Sequence, residues 1–389
     1  MRAGSQRSRL SGRAEQSTIG PFAPCDEPAC MPMSPAGEFE MPHQRAETGP
    51  EPIHVSLVAI PEAVVSTLTG IFDVMNAFAV MAPLGNTPLE APPFRVEIVG
   101  VEQGPLQLAS HVPISVQRSI ASIEATDIVI VPSILLEPEG WRTGRHPELV
   151  DWLHAMHRRG ALLCSACSGL FLLAETGLFD GVEATVHFGY ARAFAAAFPK
   201  VPILPEHVLV VSGKRDELIS SGASMTWHDL VLYLIARHAG ATAAQAVARL
   251  FALQWHQDGL APYITFEGRR DHDDLAIRAA QDWLATHFSV ANPLEEMIRR
   301  TGLTERTFKR RFTGATSLSP IAYVQRVRIE EAKRRLERTE ASVDEISWQV
   351  GYEEPAFFRR LFKRLTGVTP GGYRRRFKIP EFAQPRRES

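Results

Sequence analysis

A chain of 389 residues is longer than one hydrophobic core usually serves and points to two or three domains. Its 45% hydrophobic and 22% charged residues are ordinary for soluble globular protein, and no apolar run reaches the ~18 residues that a helical membrane span needs. The formal charge of −2 hides an asymmetry: residues 275–389 hold 23 Lys+Arg against 14 Asp+Glu, a net of +9, while the rest holds 19 against 30, a net of −11.

Residues 1–50 mix Arg, Ser, Gly, Pro and Glu without apolar periodicity, the composition of a disordered extension without the apolar core of a secretory signal. Met31, Met33 and Met41 are candidate alternative starts just upstream of the first strand pattern. Cys25 and Cys30 sit in this stretch, and four cysteines in all make no disulfide framework, so a reducing, cytoplasmic setting is expected.

IHVSLVAI from Ile53 reads as a buried strand, followed by a mostly apolar helix over 64–82. FRVEIVG (94–100) and DIVIVPS (127–133) are further short apolar runs. A helix is expected over 147–158, a strand at GALLC (160–164) and a helix over 168–177. ATVHF, VPIL, VLVVS and ELISSG supply shorter strands, and helices over 227–238 and 242–255 close this region. Strands alternating with helices predict an α/β, flavodoxin-like parallel-sheet domain over 51–266.

EGRRDHDD (267–274) reads as a polar linker, and from Leu275 to about 380 the periodicity is all-α, with 381–389 as a tail. Thr304 and Ser319-Pro320 mark helix starts, Ser342-x-x-Glu345 is a capping box, and Pro355 and Thr369-Pro370 begin two more helices. A single pattern occurs twice within this all-α region. Phe308-x3-Phe312-x7-Pro320-x2-Tyr323 returns as Phe358-x3-Phe362-x7-Pro370-x2-Tyr373, each copy preceded by a glycine, Gly302 and Gly351. Helix, Gly-containing turn and basic helix describe a helix-turn-helix, here duplicated with a connecting helix between the copies. The i, i+4 phenylalanines belong in the core. Arg306, Lys309 and Arg310 in the first copy, and Arg359, Arg360 and Lys363 in the second, then face outward as candidate DNA contacts. A solvated basic face is the bland alternative for one helix; two copies at a fixed offset weigh against it.

TGLTERTFKRRF, SLSPIAYVQRVRIEEAKRRL and SVDEISWQVGYEEPAFFRRLFKRLTGVTPGGYRRRF resemble the AraC/XylS DNA-binding domain over 275–378. The resemblance implies two helix-turn-helix units, set by the helix over 321–338 to enter successive major grooves of promoter DNA. It departs from that family where a small residue is usual four positions before the turn glycine: Ile298 stands there in the first copy and Ser347 in the second. The bulk of Ile298 predicts slightly different packing of the first unit, without loss of binding.

LLCSACSGLFLLAET runs from a strand into Cys167-Ser168-Gly169 and out into a helix. This is the setting of a nucleophile elbow, with His187 twenty residues on in ATVHF as a candidate base. A thiol at a helix start tends to a lowered pKa. Cys164-x-x-Cys167 also has the spacing of a redox pair or half a zinc site, but no second cysteine pair accompanies it, and a buried, inert Cys167 under a ligand is a further reading. GIFDVMN (70–76), ACSG (166–169), LAETGLFDG (173–181) and ATVHF (184–188) resemble the ThiJ/PfpI, or class I glutamine amidotransferase-like, domain at the front of GlxA-type AraC regulators. Enzymes of that superfamily use the equivalents of Cys167 and His187 with an acid. Here the two positions where an acid is expected hold Thr67 and Gly189. The resemblance therefore implies a degenerate site and no enzyme. Its remnants Cys167, Ser168, His187, Thr67 and Asp73 are candidates to line a small-metabolite pocket.

These readings predict a DNA-binding transcriptional regulator, an activator by its family, with no cofactor and no metal site. Its expected partners are double-stranded promoter DNA, a small-molecule effector of the nitrogenous-metabolite class, RNA polymerase and a second copy of the chain as a homodimer, with no membrane. An amidase, hydratase or deglycase using Cys167 and His187 beside an accessory DNA-binding domain is the alternative, and a thiol redox sensor at Cys167 is a third.

Overall fold

The computed structural model describes residues 51–84, 89, 91–137, 140–380 and 383. The expected disordered extension, the alternative starts, Cys25 and Cys30 lie outside the described residues, as does nearly all of the tail.

β1 (Ile53–Val58) is buried along almost its whole length because both its faces are covered, and the polar residues of one face, His54 and Ser56, are bonded to Glu97 at 2.7 Å and Thr126 at 3.0 Å. After α1 (Val65–Met75) and α2 (Ala77–Met81), β2 (Phe94–Gly100) pairs with β1 in parallel. β3 (Gly104–Gln107) and β4 (Pro113–Val116) form a separate antiparallel hairpin. The short edge strand β5 (Arg118–Ser119) follows. β6 (Ile128–Val131), α3 (Pro147–Arg158), β7 (Leu162–Ala166), α4 (Leu170–Ala174) and α5 (Ala191–Ala197) come next. β8 (Leu209–Ser212), β9 (Leu218–Ser221), α6 (Trp227–Ala239) and α7 (Ala241–Leu250) complete the α/β region. The seven strands run in the order β5-β2-β1-β6-β7-β9-β8, parallel except for β8 against β9. The expected flavodoxin-like architecture is present, with one antiparallel edge.

Three expectations differ in detail. The helix predicted over 64–82 divides at Asn76, whose side-chain amide and backbone N–H both donate to the Phe72 carbonyl, at 2.9 and 3.1 Å, so side chain and backbone compete for one acceptor. The helix predicted over 242–255 stops at Leu250, where Ala252 adopts a left-handed φ of 53° and Leu253 N–H closes back on the Ala248 carbonyl at 2.9 Å. ATVHF and VPIL are not strands. They share only an isolated bridge between Ala184 and Ile203, because the Thr185 N–H is satisfied by the Ser220 hydroxyl at 2.9 Å instead of a ladder partner. His187 is therefore the N-cap of a short 3-10 turn rather than a strand residue.

The all-α region contains α8 (Leu275–His287), α9 (Pro293–Thr301), α10 (Glu305–Thr316), α11 (Pro320–Arg338), α12 (Val343–Gln349), α13 (Pro355–Thr366) and α14 (Pro370–Phe377). The side chains of Thr304, Ser319, Ser342 and Thr369 each cap the helix that follows. Gly302 and Gly367 end helices at φ 66° and 78°, a conformation open to glycine at no steric cost.

The sequence repeat is a structural repeat. Phe308, Phe312, Phe358 and Phe362 are fully buried. Phe312 meets Tyr323 edge-on at 5.2 Å, and Phe362 meets Tyr373 in the same way at 5.6 Å. Each unit has its own apolar core. Ile298 is accommodated because it lies half-buried at the rim of the first core. Its counterpart Ser347 is wholly buried and donates its hydroxyl to the Tyr352 carbonyl at 3.4 Å, so only the second unit has a tight site for a small residue.

Candidate nucleic-acid interface and the cysteine turn

Burying the paired phenylalanines of α10 and α13 turns the opposite faces of these helices to solvent. Arg306, Lys309, Arg310, Arg359, Arg360 and Lys363 are all exposed there. Two of the six are held by neighbours, Lys309 by Glu305 one helical turn away and Arg359 by Asp344 of α12. Arg306, Arg310, Arg360 and Lys363 have no ion-pair partner among the described residues. Four unneutralised cations on the two second helices are a surface suited to a polyanion.

Other basic side chains that the sequence pattern groups with these turn inward. Arg311, third in the KRR run, makes two bonds to the Asp274 carboxylate, at 2.7 and 2.8 Å. Those bonds hold the Asp274 pKa below its ordinary value and tie α10 to the start of α8, which Asp274 caps. Arg328 of α11 is 7% exposed and donates to three carbonyls, Phe288 at 2.7 Å, Val290 at 2.8 Å and Gly351 at 2.8 Å. Lys333 is buried with Glu330 and donates to the Ile264 carbonyl at 2.6 Å. Little in the local sequence marks these three as structural, since the Asp274, Gly351 and Ile264 groups that fix them lie 23 or more residues away.

The Lys333 bond reaches the stretch between α7 and α8, which packs against both regions of the molecule. Asp258 pairs with Arg376 of α14, and the Tyr263 ring meets Phe377 edge-on at 5.1 Å. Phe266 meets Tyr323 in the same way at 5.2 Å. Gly268 lies so close to Tyr323 that a Cβ there would sit 1.8 Å from its hydroxyl. The residues expected as a polar linker are therefore closely bonded: Arg270 pairs with Asp282 at 2.6 Å, and Arg192 of α5 pairs with Asp271.

The cysteine turn has the expected strand–turn–helix course. Cys167 follows β7 with a left-handed φ of 54°, strained for a residue with a Cβ. Gly169 permits the turn to pack against the end of β6, where a Cβ would lie 2.5 Å from the Val131 and Pro132 carbonyls. Cys167 is 1% exposed and its sulfur is 3.5 Å from the Ser224 hydroxyl. The buried Ser168 hydroxyl donates to the Ile134 carbonyl at 2.6 Å and accepts from the Ile134 N–H at 2.8 Å. Thr67, also buried, donates to the Ser133 hydroxyl at 3.1 Å. These two residues thus brace the same loop after β6.

His187 has other neighbours. Its Nδ1 accepts from the Gly189 N–H at 3.1 Å, its ring stacks on Phe188 at 4.3 Å, and burial lowers its pKa. Asp73 lies exposed on α1. No hydrogen bond among the described residues joins Cys167 to His187, and no carboxylate orients His187. Cys164 is fully buried inside β7, which drives its thiol pKa far up. Native protein is accordingly expected to react slowly with iodoacetamide at Cys164 and Cys167 and rapidly once unfolded, with peptide mapping as the readout. Fast native labelling of Cys167 would reinstate the activated thiol.

A family model described as a helix-turn-helix domain matches residues 297–376, and one described as the DJ-1/PfpI family matches residues 70–234. The HTH-type transcriptional regulator CdhR of Pseudomonas aeruginosa is 26% identical over 318 residues, 77% of this chain and 87% of that protein. The HTH-type transcriptional regulator GlxA of Rhizobium meliloti is 28% identical over 228 residues, 58% of this chain and 68% of that protein.

The chain carries a helix-turn-helix domain joined to a DJ-1/PfpI-like domain, an organisation similar to that of HTH-type transcriptional regulators.

An uncharacterised HTH-type regulator of Escherichia coli, YdiP, is 36% identical over 120 residues, 29% of this chain and 40% of that protein. These relatives are regulators rather than enzymes, which agrees with a cysteine turn that lacks a base–acid pair beside the thiol. DNA binding is assigned to the helix-turn-helix region, and the DJ-1/PfpI-like domain is accessory to it. No helix among the described residues is long and apolar enough to cross a membrane.

Proposed function

We propose that this regulator has GlxA-type organisation: residues 51–266 sense a small metabolite, 267–274 join the two domains, and 275–380 bind promoter DNA. The reading further takes the protein to be a cytoplasmic activator that works with RNA polymerase and dimerises so that two modules meet paired half-sites. The observation that carries it is the set of unpaired cations Arg306, Arg310, Arg360 and Lys363, on a module whose α11 and α14 are bonded to the segment leaving the front domain.

Lys309 and Arg359 complete the DNA-facing set. Around the cysteine turn, Cys167, Ser168, His187, Thr67 and Asp73 are the candidate effector contacts. His187 is only half-buried, unlike Cys167, Ser168 and Thr67, and its Nε2 has no partner among the described residues. An effector acts only if it binds the DNA-competent arrangement with a different affinity from the other.

The test screens full-length protein by thermal shift against amino acids and quaternary amines, then measures affinity for the DNA upstream of its own operon with and without each hit. A true effector is expected to change DNA affinity by about fivefold or more, the lower end of ordinary allosteric coupling. Hits that stabilise the protein and leave DNA affinity unchanged contradict the sensor reading.

A further inference from the structure

Three side chains that belong neither to the cysteine turn nor to the DNA-facing helices meet at the start of α6, just after Ser224. His228 and Asp229 occupy its first turn, and His256 arrives from the stretch after α7. One ligand-type atom from each lies within 4.8 Å of the other two. Asp229 Oδ2 is 2.7 Å from His256 Nδ1 and 3.6 Å from His228 Nε2. The other carboxylate oxygen accepts the His256 backbone N–H at 2.9 Å, and the two imidazoles stack at 5.1 Å.

The charge balance of this cluster is incomplete as it stands. Asp229 is 2% exposed and has no lysine or arginine partner among the described residues. A carboxylate buried in this way needs a compensating positive charge, and among the described residues only the two imidazoles beside it can carry one. His228 is 8% exposed; its Nε2 faces the Gln254 carbonyl at 3.0 Å, and its buried Nδ1 has no partner. A carbonyl only accepts, so Nε2 carries the hydrogen in this state, and that hydrogen must pass to Nδ1 before Nε2 can take an ion.

We propose that His228, Asp229 and His256 bind a divalent first-row transition-metal ion of the zinc(II) type. Two imidazoles and one carboxylate are a donor set that such ions favour over calcium or magnesium. Bonds of about 2.0–2.2 Å to a tetrahedral ion place its ligands roughly 3.3 Å apart. The two spacings from Asp229 Oδ2, 2.7 and 3.6 Å, straddle that value, and the ligand atoms of the two imidazoles, within 4.8 Å of each other, close toward it on binding. On binding, each neutral ring presents its lone pair to the ion and carries its single proton on the other nitrogen. His228 exchanges its bond to Gln254 for the metal, and His256 exchanges its bond to Asp229.

The remaining coordination positions open outward. Asp229 and His256 also line a cavity of about 590 Å³ whose wall includes Glu206, His207, Trp255 and Asp258. It has room for water to complete the shell, and its carboxylates attract cations. The site also has a mechanical consequence. Tyr263, whose ring lies 6.0 Å from His256, packs on Phe377, and Asp258 holds Arg376. An ion that pins His256 to α6 therefore fixes the segment on which α14 docks. This last step rests on the regulatory reading above; the metal site does not.

The test uses full-length protein stripped with EDTA, dialysed and titrated with cobalt(II) as a spectroscopic probe. The expected result is one tightly bound cobalt per chain, with visible d–d bands of low-coordinate nitrogen–oxygen ligation and no thiolate charge-transfer band, displaced by zinc(II). The absence of that band separates the site from all four cysteines. His256→Gln and Asp229→Asn should each weaken binding by roughly 100-fold or more, at or beyond the upper end of what loss of a mere supporting residue produces. Circular dichroism checks that the variants fold. Failure of wild-type protein to bind cobalt at micromolar concentration, a thiolate band, or an unchanged signal in folded His256→Gln would each overturn the proposal. If both variants misfold, the stoichiometry and bands of the wild-type protein still decide it. No DNA enters the titration, so its failure is distinct from failure of DNA binding.

Discussion

Arg328→Met is expected to destabilise the helix-turn-helix region by about 3–5 kcal/mol, the usual cost of removing one partner from a buried charged network. Methionine fills much the same volume, so the loss is chiefly one of hydrogen bonding. Arg328 collects the carbonyls of Phe288 and Val290, beyond the end of α8 in the first unit, and of Gly351, in the turn of the second. Its guanidinium also lies over the Tyr352 ring at 5.0 Å. Removing it orphans three acceptors and unfastens the two units from each other. Gly351 belongs to the same joint. Its φ is 89°, and a Cβ would lie 2.7 Å from the Ser289 carbonyl and 2.8 Å from Arg328 Nη2.

For a domain of roughly a hundred residues, a loss of that size lowers the unfolding midpoint by about 15 °C or more. Thermal unfolding of full-length protein followed by circular dichroism reads it, with Arg306→Met, at an exposed unpaired site, expected to stay within ~0.5 kcal/mol of wild type. A change below about 1 kcal/mol for Arg328→Met would show that water readily replaces the guanidinium.

The second large effect is on DNA. Arg310→Ala and Arg360→Ala should each cost about 1–3 kcal/mol of specific binding if they read bases. The two sit on different helices in different cores, so the double variant should show near-additive loss, roughly 30-fold in affinity or more. Ion pairing sets an order within each helix. Arg359 is held by Asp344 and Lys309 by Glu305, so Arg359→Ala and Lys309→Ala are expected to cost less than Arg360→Ala and Arg310→Ala. A side chain that contacts phosphate instead of base reveals itself differently: its loss weakens binding to all sequences and lowers the salt slope by about 0.9 per contact. Anisotropy titrations at several salt concentrations separate the two cases, and unchanged affinity in the double variant would show that DNA meets another face.

The helical region was legible because its boundaries are written locally. Thr304, Ser319, Ser342 with Glu345, and Thr369 are caps whose partners lie within three residues, and Gly302 and Gly367 take the left-handed ends that only glycine adopts freely. The front sheet was legible where a strand is apolar on both faces, as in β6, and not where a side chain replaced a ladder bond, as Ser220 does for Thr185. The β3–β4 hairpin was missed because its strands are short and largely exposed, with prolines inside them. Basic residues were the least legible. Arg310 and Arg311 are neighbours in one run, yet one faces solvent and the other grips Asp274, a choice fixed by a partner 37 residues away. The same holds for His228, Asp229 and His256, whose meeting depends on α7 stopping at Leu250, and so on the backbone of Ala252.

The central claim is that DNA is bound by the outward faces of α10 and α13 together. Footprinting on the DNA upstream of the protein's own operon tests it most directly, comparing wild type with the folded Arg310→Ala, Arg360→Ala double variant. The prediction is a sequence-selective footprint with wild type, covering two successive major grooves on one side of the duplex, that disappears with the double variant at equal concentration. Equal protection of all sequences at every salt concentration, or an unchanged footprint with the double variant, would contradict it.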